Sequence, residues 1–241
     1  MDVEIFIPCF IDQLFPETGF NMVKVLEKAG CTVHYNPEQT CCGQPAFNAG
    51  QWKEMDEVGK KFIKDFSTND RVVVAPSGSC VGFVRNFYGE LYDNGPFHNY
   101  YKQLRKNLYE FSEFMVDILK VEDIGGKFNA KVTYHDACAA LRECKIKSAP
   151  RKLVNNIQGI ELIEMDLVET CCGFGGTFAV KYEPISTSMA DLKIEKALAT
   201  GADYIVSTDY SCLMHLKAYA DKQKLPIQVM HLADLMAKSL S

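Results

Sequence analysis

The chain has 241 residues, 47% of them hydrophobic, with a formal net charge of −5 and a sequence pI near 5.6. This length and composition allow a full hydrophobic core, as one large domain or two small ones. The acidic balance offers no basic surface to a phosphate backbone or an anionic lipid, which argues against nucleic acid as a partner. No apolar run reaches the ~18 residues of a membrane span and the amino terminus is acidic, so we expect a cytoplasmic protein with no membrane span.

In the first half of the chain, predicted strands alternate with predicted helices. Short runs of β-branched and aromatic residues predict strands at residues 3–8, 31–35 and 71–75. Apolar residues at helical spacing predict helices at residues 19–30 and 51–66. We expect a loop to begin at Cys9, and a turn at residues 76–79 to place Cys80 at the start of a further helix. Successive βαβ units predict parallel strands whose loops gather at the carboxyl ends of the strands.

The second half repeats this alternation after a glycine-containing break. The segment from Tyr100 to Leu119 is predicted to form one long helix, and Asp123 to Gly126 is the candidate boundary between residues 1–126 and 127–241. Beyond it, strands are predicted at residues 131–134, 160–165, 204–207 and 227–230, and helices at residues 183–199 and 211–222. The sequence therefore predicts an α/β fold, in which two similar Rossmann-like parallel βαβ halves are related by a pseudo-two-fold axis.

A duplicated cysteine pattern keeps register with the two halves. The tetrapeptide Thr-Cys-Cys-Gly occurs at residues 40–43 and again at residues 170–173. In each copy an earlier cysteine stands 31 or 32 residues before the doublet, and a later one stands 37 or 39 residues after it. The pattern comprises eight of the ten cysteines: Cys9, Cys41, Cys42 and Cys80, then Cys138, Cys171, Cys172 and Cys212. Such a repeat indicates two copies of one structural unit, and two copies are too few for a solenoid.

The pattern predicts metal or redox chemistry rather than structural disulfides. Reducing conditions in the cytoplasm disfavour disulfides, and the helix dipole at a strand-to-helix turn favours the thiolate form of a cysteine. Four convergent thiolates fit either tetrahedral zinc or an iron-sulfur cluster. Adjacent cysteine side chains diverge, which suits two irons of one cluster better than one zinc ion, and the CxxC spacing of zinc sites is missing. We therefore predict an iron-sulfur cluster in each half, with zinc as a replacement.

Histidines and glycines near the cysteines are further candidates for contact with the cofactor. His135 lies three residues before Cys138 and His215 lies three residues after Cys212, so either imidazole could reach a cluster. Four glycines would let backbone N–H groups approach sulfide closely: Gly43, Gly173, Gly175 and Gly176. No GxGxxG fingerprint follows a strand and no P-loop motif is present, so neither a nicotinamide nor an ATP site is predicted. The two cysteines outside the pattern are predicted to pack in the core.

Longer motifs around the doublets resemble a known family. Residues 41–46 (CCGQPA), 76–80 (PSGSC) and 171–178 (CCGFGGTF) are similar to signatures of the lactate utilisation protein A family, whose members stand alone with two cysteine-rich CCG repeats. The resemblance covers essentially the whole chain. More distantly, it includes the cysteine-rich component of heterodisulfide reductase and the iron-sulfur subunits of glycolate and glycerol-3-phosphate oxidoreductases. It implies an iron-sulfur electron-transfer subunit of a multi-subunit, non-flavin L-lactate dehydrogenase complex, which oxidises lactate to pyruvate with other iron-sulfur subunits as partners.

The sequence departs from the heterodisulfide reductase branch at one position in each half. In that branch each motif ends in CxxC, whereas Phe83 and His215 stand at the last position here. Four thiolates per half fit an ordinary 4Fe-4S cluster, so the resemblance implies two such sites. Two alternatives stay open: a thiol-disulfide oxidoreductase subunit, which the missing cysteines disfavour, and a zinc-stabilised scaffold for other redox subunits. No catalytic residue is assigned, because thiolate clusters alone cannot remove a proton and a hydride equivalent from a hydroxy acid.

Overall fold

The structure is a computed structural model that describes residues 1–67 and 70–240, and within them helices cover two four-stranded parallel sheets. The strands of the first sheet are β1 (Asp2–Ile5), β2 (Thr32–Tyr35), β3 (Val72–Ala75) and β4 (Leu108–Glu110). The helices of this half are α1 (Cys9–Leu14), α2 (Pro16–Lys28), α3 (Gln44–Asn48), α4 (Trp52–Ser67), α5 (Gly78–Tyr92), α6 (His98–Asn107) and α7 (Phe111–Glu113), and a π-helical turn follows at Phe114–Ile118. The strand order is β2-β1-β3-β4.

The second half repeats the architecture of the first. Its strands are β5 (Lys127–Tyr134), β6 (Gln158–Leu162), β7 (Tyr204–Ser207) and β8 (Gln228–His231). Its helices are α8 (Cys138–Arg142), α9 (Ser148–Asn155), α10 (Thr177–Lys181), α11 (Glu183–Ala199), α12 (Tyr210–Gln223) and α13 (Leu232–Ser239). The strand order, β6-β5-β7-β8, matches that of the first sheet position for position. The predicted α/β fold of two similar Rossmann-like parallel halves is thus confirmed.

Local sequence explains where the elements that carry the site begin and end. β3 consists of Val-Val-Val-Ala and is buried over most of its length, as expected of a parallel strand covered on both faces. α2 ends before Gly30, whose φ of +88° is the left-handed conformation that terminates helices. The side chain of Ser77 caps α5 by accepting a hydrogen bond from the N–H of Cys80, and Asp209 caps α12 through the N–H of Ser211. These caps fix the helix ends that carry two of the pattern cysteines.

Two local predictions differ from the structure. The predicted long helix from Tyr100 to Leu119 is wrong, because α6 ends at Asn107 and Leu108–Glu110 pairs with β3 as an edge strand. Burial against the sheet outweighs helical periodicity there, and the Glu110 carboxylate then starts α7 by accepting from the N–H groups of Ser112 and Glu113. The loop expected at Cys9 is also wrong, since α1 begins at that residue.

The two sheets share one hydrophobic core. A single buried cluster contains Val3 and Val74 of the first sheet together with Tyr134 and Val206 of the second. At its edge Asp234 of α13 accepts hydrogen bonds from Thr18 Oγ1 at 2.8 Å and Asn21 Nδ2 at 2.9 Å. Separate clusters on the outer faces hold α4 and α5 on one sheet and α11 and α12 on the other. The boundary between residues 1–126 and 127–241 stays a prediction. Among the described helices, each is too short or too polar to cross a membrane.

The first prediction concerns the close contact between the halves at Gly78. A Cβ added there would lie 2.5 Å from the Cβ of Ala140 and 3.0 Å from its Cα, so the backbones would have to separate. We expect Gly78→Ala to lower the free energy of unfolding by about 1–3 kcal/mol, measured by urea titration of reduced, chelator-treated protein. Gly95→Ala is the matched control, because nothing lies within 4 Å of the added atom. Equal stability of the two variants would contradict this packing.

The second prediction concerns the pH dependence of stability at Glu110. Burial raises the pKa of this carboxyl to about 8, despite hydrogen bonds from Ser112 and Glu113, and its Oε1 has no hydrogen-bond partner. Because the folded pKa lies above the unfolded value of about 4.5, Glu110 destabilises the fold progressively as pH rises through this interval. We expect Glu110→Gln to gain stability relative to the unmodified chain between pH 5 and pH 8 in urea titrations. A stability difference that is constant with pH would contradict the assignment.

Candidate metal centre

Each cysteine set lies at the carboxyl edge of one sheet. Cys9 starts α1 after β1, and Cys80 lies in the first turn of α5 after β3. The strand order reverses between β1 and β3, and in open parallel sheets ligands bind in the crevice at such a point. In the second sheet Cys138 starts α8 after β5, and Cys212 lies in the first turn of α12 after β7. The doublets enter from the loops that follow β2 and β6.

The four sulfurs of the first set form a chain of close contacts. The Sγ atoms of Cys9 and Cys41 are 3.7 Å apart. The thiol of Cys42 interacts with the sulfurs of Cys41 and Cys80, and both Cys42 and Cys80 are buried. The backbone N–H of Gly43 donates to Cys41 Sγ at 3.3 Å. The structure therefore brings together the four predicted ligands of the first half, although they lie far apart in sequence.

The second set repeats this chain of contacts. The sulfur of Cys171 interacts with the thiols of Cys138 and Cys172, and Cys172 interacts in turn with Cys212. The N–H of Gly173 donates to Cys171 Sγ at 3.4 Å. All four predicted ligands of the second half are thus brought together as well.

Each set stabilises one thiolate. Hydrogen bonds from Cys42 and then Cys9 lower the pKa of Cys41, and hydrogen bonds from Cys138 and Cys172 lower that of Cys171. The pKa of Cys9 is correspondingly raised, chiefly because its thiol donates to Cys41. The remaining thiols of each set would release their protons when a metal binds, because cysteine binds metal as the thiolate.

The glycine after each doublet is required by the geometry of the turn. Gly43 has φ +85° and Gly173 has φ +95°, and a side chain is strained in this left-handed region. A Cβ would also lie 2.5 Å from Met55 Sδ at the first position and 2.6 Å from Ser186 O at the second. These two glycines donate to cysteine sulfur as described, whereas Gly175 and Gly176 line the neighbouring cavity.

The two sets face one cavity between the halves. Its volume is about 540 Å³, and all eight pattern cysteines contribute to its lining. Phe10 and Phe174, one from each half, meet edge to face across it with their ring centroids 5.8 Å apart. Below it, Asp209 Oδ2 of the second half accepts from the N–H of Ser79 in the first at 2.7 Å. The sequence predicted two sites but not that they open into the same cavity.

The two candidate histidines differ in their surroundings. His135 is fully buried, and both its ring nitrogens lack a hydrogen-bond partner. One of its ring nitrogens and the sulfurs of Cys172 and Cys212 all lie within 4.8 Å of one another. Burial lowers the pKa of His135 to about 3, so the imidazole is neutral, the form that binds metals. The Nε2 of His215 instead lies 3.2 Å from Ser186 Oγ.

Lys193 is a buried residue near the second set that the sequence analysis did not identify. Only 1% of it is exposed, and its Nζ donates to the carbonyls of Leu167 at 2.6 Å and Val168 at 3.1 Å, in the loop before the second doublet. Burial lowers its pKa to about 8, an effect that negative charge on Cys172 opposes. The signal available in the sequence was its position on the inward face of the helix predicted at residues 183–199.

The donor set of each half fits a thiolate-bound metal centre. A separation of 3.7 Å between two sulfurs is close to that of two thiolates on one tetrahedral ion with bonds of ~2.3 Å. A four-iron cluster would need the sulfurs further apart, and the adjoining cavity leaves room for them to spread. The orphaned nitrogens of His135 add a donor at the second set. The arrangement therefore has the chemistry of a metal-binding site, with soft ligands suited to zinc, iron or iron-sulfur.

Comparison with known proteins agrees with this arrangement. Residues 3–85 and 132–217 match the CCG family, described as a cysteine-rich domain. Lactate utilization protein A of Exiguobacterium sp. strain AT1b is 40% identical over 236 residues, covering 98% of this chain and 96% of that protein. The protein of the same name from Geobacillus sp. strain WCH70 is also 40% identical, covering 98% and 99%.

A solved structure supports the fold. The crystal structure of a hypothetical protein from Helicobacter pylori aligns with all of this chain at a TM-score of 0.68 and 12% identity, and the chain spans about half, 49%, of that protein. At this identity the likeness concerns the fold alone. The sequence relatives carry the assignment further: this chain belongs to the CCG cysteine-rich domain family, in which it is similar over nearly its whole length to lactate utilization protein A.

Proposed function

We propose that this chain is an iron-sulfur electron-transfer subunit of a complex that oxidises lactate to pyruvate, with a 4Fe-4S cluster in each half. The observation that carries the proposal is the convergence of eight cysteines into two sets that face one cavity. The relatives named lactate utilization protein A supply the metabolic context. We expect the complex to act in the cytoplasm, where reducing conditions keep the thiols available for metal.

The chain's own residues would hold the two clusters and shield them from water. Cys9, Cys41, Cys42 and Cys80 would bind the first cluster, and Cys138, Cys171, Cys172 and Cys212 the second. When bound, such a cluster supplies single-electron transfer. The N–H groups of Gly43 and Gly173 already donate to cysteine sulfur, which stabilises negative charge there. Phe47 and Phe83 pack edge to face beside the first set and contribute an apolar wall.

Lactate oxidation itself is assigned to partner subunits. Converting lactate to pyruvate removes two electrons and two protons, and single-electron clusters must hand these on one electron at a time. The sequence contains neither a nicotinamide nor an ATP fingerprint. Other iron-sulfur subunits of a lactate-oxidising complex are therefore the partners we expect, and the chain should not oxidise lactate alone.

A zinc-stabilised scaffold is the second candidate function. The 3.7 Å between Cys9 Sγ and Cys41 Sγ favours it, because this spacing fits two thiolates on one zinc ion without further movement. In that case the chain would hold other redox subunits together and carry no electrons. The two candidates predict different metal contents.

The third prediction separates these candidates by composition. Protein purified without oxygen should contain about eight iron and about eight acid-labile sulfide per chain, the content of two 4Fe-4S clusters. Colorimetric iron and sulfide assays with elemental analysis measure this directly. Stoichiometric zinc without labile sulfide would overturn the electron-transfer proposal and support the scaffold.

The fourth prediction assigns the clusters to the two cysteine sets. Cys42→Ala and Cys172→Ala should each lose about half of the iron and sulfide, and should abolish lactate-dependent electron transfer in the reconstituted complex. Cys31→Ala is the matched control, because Cys31 is a buried free cysteine in the core shared by the two sheets. It should keep its full iron content and activity. Full activity of either doublet variant, with the fold checked by circular dichroism, would contradict the proposal.

A further inference from the structure

A buried position shortly before the first cysteine of each set is occupied by an aromatic residue in the first half and by a basic residue in the second. Phe6 and His135 each lie three residues before the first cysteine of their set. The N–H of Phe6 donates to the carbonyl of Val74 at 3.0 Å, and the N–H of His135 donates to that of Val206 at 2.8 Å. These acceptors occupy matching places on β3 and β7, so Phe6 and His135 are structurally equivalent.

A second such position lies on the second helix after each doublet, which is α4 in the first half and α11 in the second. The buried residues include Met55, Gly59, Phe62, Ile63 and Phe66 on α4, and Ser186, Ala190, Lys193, Ile194 and Ala197 on α11. A constant offset of 131 residues relates the two groups, within the range that relates the cysteines. Lys193 is therefore the equivalent of Phe62.

The residues at these two positions have different chemistry in the two halves. In the first half the ring of Phe6 meets that of Phe62 edge to face, with centroids 4.8 Å apart, and forms part of an apolar wall. In the second half the unpartnered imidazole of His135 lies against the sulfurs of Cys172 and Cys212. The Lys193 ammonium contributes to the lowered pKa of His135, and negative charge on Cys172 raises the pKa of Lys193, so the three groups lie within electrostatic reach of one another.

Among the described residues, the carboxylates near the second set do not form an ion pair with Lys193. Asp136 forms a bidentate salt bridge with Arg151 at 2.8 and 2.9 Å. The negative charge of Asp209 also acts on this set and would partly offset a positive charge there. Its oxygens accept hydrogen bonds from the N–H groups of Ser79 and Ser211. Within residues 1–67 and 70–240, Lys193 forms no salt bridge and is held by backbone carbonyls.

On the basis of the proposed function, we propose that Lys193 and His135 make the second cysteine set the electron-accepting site, with a higher reduction potential than the first. A reduced cluster carries one more negative charge than an oxidised one, and a buried ammonium stabilises that charge strongly because the surroundings screen it little. A neutral imidazole acts in the same direction, because a ring nitrogen of His135 lies within 4.8 Å of the sulfurs of Cys172 and Cys212 and its N–H is free to donate to a cluster bound there. In the first half, Phe6 and Phe62 offer neither a charge nor a donor.

Electrons would then move through the chain in one direction, from the first cysteine set to the second. With clusters bound, the first cysteine set would hold the electron donor and the second set the acceptor; one electron would pass between them, so that the first cluster would be oxidised and the second reduced. No bond forms or breaks and no proton is required. Both sets line the same cavity, which suits direct transfer between them.

The test is a redox titration of the full chain, loaded with clusters under anaerobic conditions and followed by electron paramagnetic resonance. Cys42→Ala leaves only the second cluster and Cys172→Ala leaves only the first, so the two variants give the two potentials separately. We expect the potential measured in Cys42→Ala to be the higher. The reverse order, or equal potentials, would overturn the inference even if iron and sulfide analysis had supported two clusters.

Variants at the two basic positions test the cause of the difference. Lys193→Met should shift the second potential to a more negative value and leave the first unchanged. Lys196→Met is the matched control, because it removes the same charge from a more exposed position of the same helix, where Lys196 pairs with Glu195. It should shift neither potential. No shift in a folded Lys193→Met protein would exclude this lysine as the cause.

The imidazole is tested by an aromatic and a conservative replacement. His135→Phe introduces the residue found at the equivalent position of the first half and should shift the second potential in the negative direction. His135→Gln keeps an N–H donor and should recover most of that shift. If both replacements have the same effect, the hydrogen-bond donor plays no part. A chain that binds no iron or sulfide at all would instead contradict the proposed function, which keeps the two failures distinct.

Discussion

The cysteine sets depend on neighbouring parallel strands ending at the same edge of a sheet. In the order β2-β1-β3-β4, helix α2 packs on one face and α5 on the other, so a crevice opens between the ends of β1 and β3. Cys9 and Cys80 stand on either side of this crevice, and the loop after β2 brings the doublet to it. The apolar packing of helices on sheets thus determines the distances between sulfurs that are remote in sequence.

Holding eight thiols at a shared interior couples metal binding to the stability of the fold. Within each set one cysteine is a favoured thiolate and its neighbours donate hydrogen bonds to it, so the free thiols are mutually satisfied. A metal that replaces these protons binds the folded state preferentially, because the unfolded chain has no preformed site. The left-handed glycines after the doublets also contribute, since only a residue without a side chain allows the N–H to turn back toward the sulfur.

The two halves share the scaffold and the cysteine positions but differ in the buried residues that surround the cysteines. Strand order, cysteine positions and the glycine turns repeat, because each is needed to assemble four sulfurs at one edge. The inner faces of α4 and α11 carry none of the eight cysteines, so either Phe62 or Lys193 can fill this position provided that the buried cation finds carbonyl partners. The two halves can therefore have one architecture and two electrostatic environments, which is a physical basis for a directed transfer of electrons.

The sequence by itself determined the α/β class, the duplication and the pattern of eight cysteines, because hydrophobic periodicity and the spacing of cysteines are local properties of the chain. It did not predict β4, since the pairing of Leu108 with β3 depends on a partner strand and overrides a helical pattern. It also missed the common cavity and the burial of Lys193, because a lysine on a helix is buried or exposed according to what packs against it. His135 and His215 were both candidates in sequence, and only the packing around β5 and α11 leaves one against the sulfurs and turns the other toward Ser186.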